Sequence, residues 1–375
     1  MYMRFTIDKE QLLKGLLIAG KGISSRNANP QLLCFKMEMT SIGLEITAFN
    51  GDVTVFTRVP LKLNEKEIIR NYSLGSSLIS AHFLTEIVRK MEGNELSLDI
   101  IDESIAKIDD GNSVFKLPCM STDEYPDIDL EATGSSFSIP CTDLTKLVEQ
   151  TAFAALDKDT RPILNAINLK AEGGKLIASA TDSARLSRKS VPVDSNIRFN
   201  ANVAAKTIGD IIKLFENNYE VQICSTGEKM ILSFGQTIVS TRLIAGDYPV
   251  SNSIIPQNFN YSLQINSQQL LNAIDRVSIL SSERVATVKL CMTSDGVEIS
   301  SSGDQNGSGS EKLSTIQYQG ERLEVAFNAM FVTQAVRALG VEDVTMKFIG
   351  EMKPFVIIDP KDDSVIELIT PMRAH

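Results

Sequence analysis

Apolar and polar positions along this 375-residue chain fall into one short phrase written three times. Phe5 and Ile7 alternate with polar neighbours as in a strand, and Leu12, Leu13, Leu16 and Leu17 then recur at helical spacing. The succession returns at Phe137 and Ile139 with Leu144, Leu147 and Val148, and again at Tyr261 and Leu263 with Leu270, Ile274 and Val277. The intervals are 132 and 124 residues. Asp8 with Gln11 and Asn266 with Gln269 have the spacing of capping boxes. Each phrase predicts a strand running into an amphipathic helix that lies on a sheet by its apolar face.

A second helical stretch follows in each third, at 76–91, 204–216 and 328–339, with β-rich runs around it. Tyr125-Pro126 and Tyr248-Pro249 stand at matching places. A period near 125 residues is too long for a solenoid unit, so each copy is read as a whole α+β domain with two helices on one face of its strands. The predicted domains are 1–130, 131–258 and 259–375, with boundaries in the polar, turn-rich stretches near 130 and 258. Domains repeated side by side form a curved array, and an array with complementary ends closes into a ring.

Composition narrows the function. At 41.1 kDa the chain exceeds one ordinary core. A net charge of −10 argues against a generally basic nucleic-acid binder and makes any such contact local. The helical stretches are nonetheless neutral to basic, which suits helices facing phosphates from inside a ring. No apolar run reaches membrane-spanning length, and the first residues lack the apolar core of a secretory signal, so a cytoplasmic protein is expected. The five cysteines are scattered without a C-x-x-C pair and read as buried thiols. Two histidines, His82 and His375, leave little room for histidine-based catalysis. Nucleotide-binding, nucleophile-elbow and zinc-protease motifs are absent, and neither a catalytic residue nor a cofactor is expected. Asp157 with Asp159, and Asp359 with Asp362 and Asp363, read as turn and loop residues, with no metal expected. An enzyme with a cleft at a domain boundary, or a scaffold that never encircles DNA, is the alternative.

Several stretches carry a resemblance along the whole chain: "MRFTIDKEQLLKGL", "TRPILNAINLKAEGGKLIASATDSARLS", "LIAGDYPVSNSIIP", "VSILSSERVATVKL" and "ITPMR". In this order they resemble the bacterial β sliding clamps, the processivity subunits of DNA polymerase III. The resemblance implies a half-ring of three clamp domains, closed by a head-to-tail homodimer around double-stranded DNA. It implies a non-catalytic subunit that tethers the replicative DNA polymerase, clamp loader and repair proteins through short linear motifs.

It also implies sites. The partner-peptide pocket maps to Leu164, Thr181, Ser183, Ala184, Arg185 and Leu186, with Pro249 and Ile254, and with Thr370, Pro371, Met372 and Arg373 near the end. The family commonly has Gly-His where Ser183-Ala184 stand, Met where Thr370 stands, and often Arg at Ser253. DNA-facing positions map to Arg26, Arg161 and Lys206, with Lys14, Lys158 and Lys213 as further candidates. Ile279 and Leu280 map to the subunit interface.

Overall fold

The structure is a computed structural model describing residues 2–24, 27–157, 161–215, 219–249, 254–281, 286–303 and 307–373. The first copy of the phrase is strand β1 (Arg4–Asp8) running into α1 (Lys9–Ala19). Asp8 caps the helix, its carboxylate accepting from Gln11 N at 3.2 Å and from Lys66 Nζ at 2.8 Å. Its own N–H donates to Ile68 O, so only half of the capping box forms. Leu12 and Leu16 are buried, whereas Leu17 is on the outer turn and exposed. Gly15 brings α1 close to the sheet: a β-carbon there would stand 2.9 Å from Val59 Cγ2.

The chain continues through β2 (Cys34–Met39), β3 (Gly43–Phe49) and β4 (Val53–Pro60), the short pair β5 (Lys62–Leu63) and β6 (Lys66–Glu67), then β7 (Ile69–Ser73) and β8 (Gly75–Ser80). Helix α2 (Ala81–Lys90) leads to β9 (Glu95–Ile101), β10 (Ile105–Asp109) and β11 (Val114–Met120). The second copy is β12 (Ser135–Pro140), α3 (Cys141–Glu149), β13 (Ala166–Glu172), β14 (Lys175–Thr181), β15 (Arg185–Pro192), β16 (Phe199–Ala204), α4 (Ala205–Ile211), β17 (Glu220–Ser225), β18 (Lys229–Phe234) and β19 (Thr237–Arg242). The third is β20 (Tyr261–Asn266), α5 (Ser267–Ser278), β21 (Thr287–Thr293), β22 (Gly296–Gly303), β23 (Gly307–Leu313), β24 (Gln317–Gln319), β25 (Leu323–Asn328), α6 (Ala329–Leu339), β26 (Asp343–Phe348), β27 (Phe355–Asp359) and β28 (Asp362–Ile369).

Two expectations about the helices are corrected. The second helices begin at Ala81, Ala205 and Ala329, 124 residues apart each time, and not near residue 76. Residues 76–80 are strand because Leu78 and Ile79 are both buried and β8 pairs with β2, Ile79 opposite Phe35. The six helices among the described residues are 7 to 12 residues long, not 12 to 16. At a rise of 1.5 Å per residue they span roughly 10–18 Å. Helix α4 continues into a 3-10 turn at Ile212–Leu214, and α6 stops at Gly340, whose φ of 65° is the left-handed cap glycine tolerates.

The residues gather into two compact units, Met1–Cys141 with Asp210–Leu243, and Thr142–Gly209 with Ile244–His375. Unit one carries a sheet in the order β12-β17-β18-β19-β4-β3-β2-β8-β11-β10-β9-β1-β7. Unit two carries β16-β13-β14-β15-β28-β27-β26-β20-β24 and, separately, β23-β22-β21-β25. Copies are thus stitched edge to edge twice, β4 to β19 in unit one and β15 to β28 in unit two. At each seam a buried polar pair stands in register, Thr57 opposite Thr237 and Ser187 opposite Glu367. The core of unit one packs Phe5, Leu12, Leu16, Leu84 and Val88 among the strands, and that of unit two packs Leu270, Ile274, Val277, Val332 and Val336. Each such side chain contributes about 1.5–3 kcal/mol of burial.

Candidate functional site

All twelve residues mapped to a peptide pocket lie in unit two. The turn from β14 to β15 is held by Asp182, whose Oδ1 accepts from the N–H of Ala184 and of Arg185, both at 2.9 Å. Ser183 sits at a φ of 79°, a left-handed conformation that favours glycine. Thr181 Oγ1 donates to Arg185 O at 2.5 Å, and its N–H donates to Tyr248 Oη at 3.1 Å. Tyr248 in turn donates to Ala166 O at 3.0 Å, which ties the strand after Leu164 and the corner before Pro249 to one side of the site. Burial pushes the Tyr248 hydroxyl up to about 12, so it remains a donor.

The chain end is held beside these strands. Leu186 is in register with Leu368, and Thr370 N donates to Ala184 O at 2.9 Å. Met372 N donates to Ala326 O at 2.7 Å, docking the last described residues onto β25, and Pro371 is buried. Leu164 and Leu186 are buried, whereas Pro249, Ile254 (45% exposed), Ser183, Thr370 and Arg373 are open to solvent. Buried apolar residues thus stand with exposed apolar and polar ones among the twelve positions.

Arg185 takes another part than a rim group. It is 8% exposed, its Nε donating to Asp182 Oδ2 at 2.9 Å, Nη2 to Phe153 O at 2.6 Å, and Nη1 to Gln334 Oε1. Its guanidinium stacks 4.5 Å from the ring centre of Phe331 and 5.3 Å from that of Phe153. With its donors committed inward, it positions the turn on which Ser183 and Ala184 stand.

Beneath the same strands lies fully buried Glu367. Ser187 Oγ is 2.5 Å from Gln150 O and 2.9 Å from Glu367 Oε1, and a hydroxyl has one proton to give. Ser187 therefore donates to one of these two oxygens at a time. Burial drives the Glu367 carboxyl well above its ordinary range, against the opposing pull of Ser187 and Arg185. Residue-type reasoning missed Tyr248 as a pocket tie, and it missed Asp182 and Glu367. An Asp at a tight turn is a legible signal. For Glu367 the only sign is an acid inside the apolar run "VIELI".

The cationic candidates are divided between the two units. Lys14 and Lys213 belong to unit one, Arg161 and Lys206 to unit two, and all four are exposed. Lys213 pairs with Asp210 at 2.8 Å. Arg26, Lys158, Asp159, Ser253 and His375 lie outside the described residues. Asp359 accepts from Lys361 N within its turn. Burial raises the Asp362 carboxyl, but bonds from Lys189 (2.6 Å) and Ser364 outweigh it and hold the group at about 2. Four cysteines are buried thiols and Cys291 is half-buried.

Ile279 and Leu280 follow the end of α5. Ile279 is 75% exposed, and a β-carbon on Gly309 of β23 would meet Leu280 Cδ1 at 3.3 Å. Arg276 clamps α5 to β23 through both carboxylate oxygens of Glu311, at 2.8 and 2.6 Å. Leu280 therefore lies beside β23, the end strand of its sheet, with Ile279 exposed next to it.

Three repeats of two helices and paired strand meanders, sewn edge to edge, define the DNA clamp fold. Family models for the DNA polymerase III beta subunit match its N-terminal domain to residues 3–129, its central domain to 138–250 and its C-terminal domain to 252–373. The chain is 30% identical to the beta sliding clamp of Bacillus subtilis (strain 168), and 29% identical to that of Halalkalibacterium halodurans, over all of both chains in each case. The crystal structure of the DNA polymerase sliding clamp from Bacillus subtilis matches with a TM-score of 0.95 at 30% identity, covering both chains fully. That of the DNA polymerase III beta chain from Streptococcus pneumoniae matches with 0.94 at 27%, covering 99% of this chain and all of the other. The chain belongs to the bacterial β sliding clamps, the beta subunits of DNA polymerase III, and is a processivity factor of DNA replication.

Proposed function

We propose that two copies of this chain join head to tail into a ring around duplex DNA, and that the ring tethers a polymerase without performing chemistry itself. The observation that carries this reading is the pattern of seams. In both, the third strand of one copy's first meander (β4, β15) pairs with the last strand of the next copy (β19, β28). The same rule leaves two edges over. One is β23, third in the last copy and terminal in its sheet. The other is β11, last in the first copy, which on one side meets β8 only at Cys119 and Met120. A second chain satisfies both edges at once, β23 of each against β11 of the other, and the symmetry closes. Exposed Ile279 and half-buried Leu280 flank that junction.

Around DNA, the exposed cations Lys14, Arg161, Lys206 and Lys213, with Arg26 and Lys158, meet phosphates without reading bases. The domain limits near 130 and 258 mark the three modules, and the site of action is the cytoplasm. The floor of Leu164, Leu186 and Leu368, beneath the rim of Pro249 and Ile254, receives a linear motif of the polymerase, and occupancy there raises the polymerase's local concentration at the primer end.

The test is retention on nicked circular DNA after loading. A ring survives a wash at 1 M salt and leaves when the circle is linearised. Loss at the salt step marks a simple electrostatic binder and overturns the reading. Ile254→Asp should abolish polymerase stimulation while leaving retention intact; undiminished stimulation removes the pocket from the proposal.

A further inference from the structure

Two asparagines stand buried in strands, where asparagine is normally depleted. Asn168 on β13 and Asn202 on β16 face each other in register and are only 9% and 8% exposed. A buried amide has to find partners for its two hydrogens and its oxygen. Asn168 Nδ2 gives its two hydrogens to Asn202 Oδ1 and to Asn200 Oδ1, each at 2.8 Å. That fixes which way the Asn202 amide points, because its oxygen is turned to Asn168 and its nitrogen is left to face elsewhere. Asn202 Nδ2 donates to Gly246 O at 2.8 Å and to Ile244 O at 3.3 Å. Both targets are backbone carbonyls, which only accept, so the opposite orientation of the amide would lose every one of these bonds. The backbone of the same residue adds a further bond, Ile244 N donating to Asn202 O at 2.8 Å.

What this relay holds is the corner of residues 244–249, which belongs to no helix or strand. Ala245, Gly246, Asp247 and Pro249 are all exposed, so apolar burial does little to fix their course. The corner is instead pinned by polar bonds at two points. Asn202 grips it at Ile244 and Gly246, and two residues further on Tyr248 bonds to Ala166 O and Thr181 N. Pro249 follows directly. With the Asn202 grip released, the stretch before Tyr248 has only that single side-chain pin to set the direction in which Pro249 leaves.

We propose that Asn202 is a positioning residue for the peptide pocket: through Gly246 it sets the corner that carries Pro249 before a peptide arrives, without touching the peptide itself. The proposal rests on the pocket reading above. A corner that is already in place spares the complex the entropy of ordering it. A corner that is in place only part of the time lowers the apparent affinity by that fraction, and does so through the association rate.

The test selects peptides from a random twelve-residue display library on the intact protein and keeps those whose binding is lost on Ile254→Asp. Association and dissociation rates are then measured by stopped-flow fluorescence for the parent and two variants. The first is the double change Asn168→Val with Asn202→Val, which removes both buried amides together, leaves neither short of a partner and puts good strand formers in their place. The second is Asn200→Ala, a control that leaves the grip on the corner intact. Hydrogen exchange is followed by mass spectrometry over residues 243–249 and 166–181. The double variant should bind about tenfold more weakly, as expected for the loss of two hydrogen bonds, through slower association at an unchanged dissociation rate. Its exchange should quicken at 243–249 and stay as in the parent at 166–181, while Asn200→Ala matches the parent throughout. Unchanged affinity with a loosened corner overturns the positioning role and leaves the pocket standing. A loss carried by dissociation alone, or faster exchange spreading over 166–181, also overturns it, since the effect then lies in the bound state or in the sheet. If no selected peptide depends on Ile254, the pocket reading falls and the positioning role with it.

Discussion

Glu367 and Ser183 each bear a cost that their neighbours offset. A buried carboxyl whose pKa is raised keeps its proton in the folded state at a pH where the unfolded chain has released it. The folded state then binds more protons, so stability falls as pH rises above the unfolded value of about 4.3, until the folded group itself ionises. Glu367→Gln keeps an uncharged hydrogen-bonding partner for Ser187 and removes this slope. Urea unfolding at pH 5, 6, 7 and 8 should show the variant gaining on the parent by up to about 1.4 kcal/mol per pH unit. Parallel curves would mean that Glu367 is ionised in the fold. Ser183 sits at a φ of 79°, and the Asp182 turn supports it. Ser183→Gly should stabilise the chain by about 1 kcal/mol, since a left-handed non-glycine residue costs about that much. A loss of stability on the same assay counts against strain at this turn.

At the scale of elements, the short helices act as covers for strands, and their ends are set by what they pack on. Asp8 caps α1 through a bond three residues away and through Lys66, and the Lys66 bond leads the effects that hold its carboxyl below the ordinary range. The end of α5 is different, because Arg276 and Leu280 lock it to β23 while Ile279 projects outward. Ile279→Asp removes no buried contact, so the monomer fold should keep its melting temperature within a few degrees. In the proposed ring it places a charge in an apolar junction, and light scattering at micromolar concentration should register the monomer mass. An unchanged dimer mass would move the interface elsewhere.

For the whole molecule, the contrast of interest is between electrostatic and topological grip. Replacing Lys14 and Lys206 by Ala removes two exposed cations, one from each unit. Binding to short linear duplex should weaken, and the slope of log affinity against log salt should fall by about 2. Retention on a closed circle should not change, because escape from a ring needs an opening and not the release of counterions. Retention that falls in step with linear affinity would count against encirclement.

Local spacing carried much of this description. A period of two gives strands, a period of 3.6 gives helices, and an N-cap needs only residues three apart, so the threefold phrase, the Asp8 and Asn266 caps and the α+β class were all readable from residues near one another in sequence. The resemblance added the family and the map of the pocket. What the sequence could not reach is whatever depends on residues far apart in it. Which strand edges meet is one case, for the in-register pairs Thr57 with Thr237 and Ser187 with Glu367 each span 180 residues. The burial of Arg185 is another, since it depends on Gln334, 149 positions away, and on Phe331, on the same helix α6. Propensity and periodicity act within a turn or a strand, whereas pairing, burial and protonation are decided by neighbours that only the folded chain brings together.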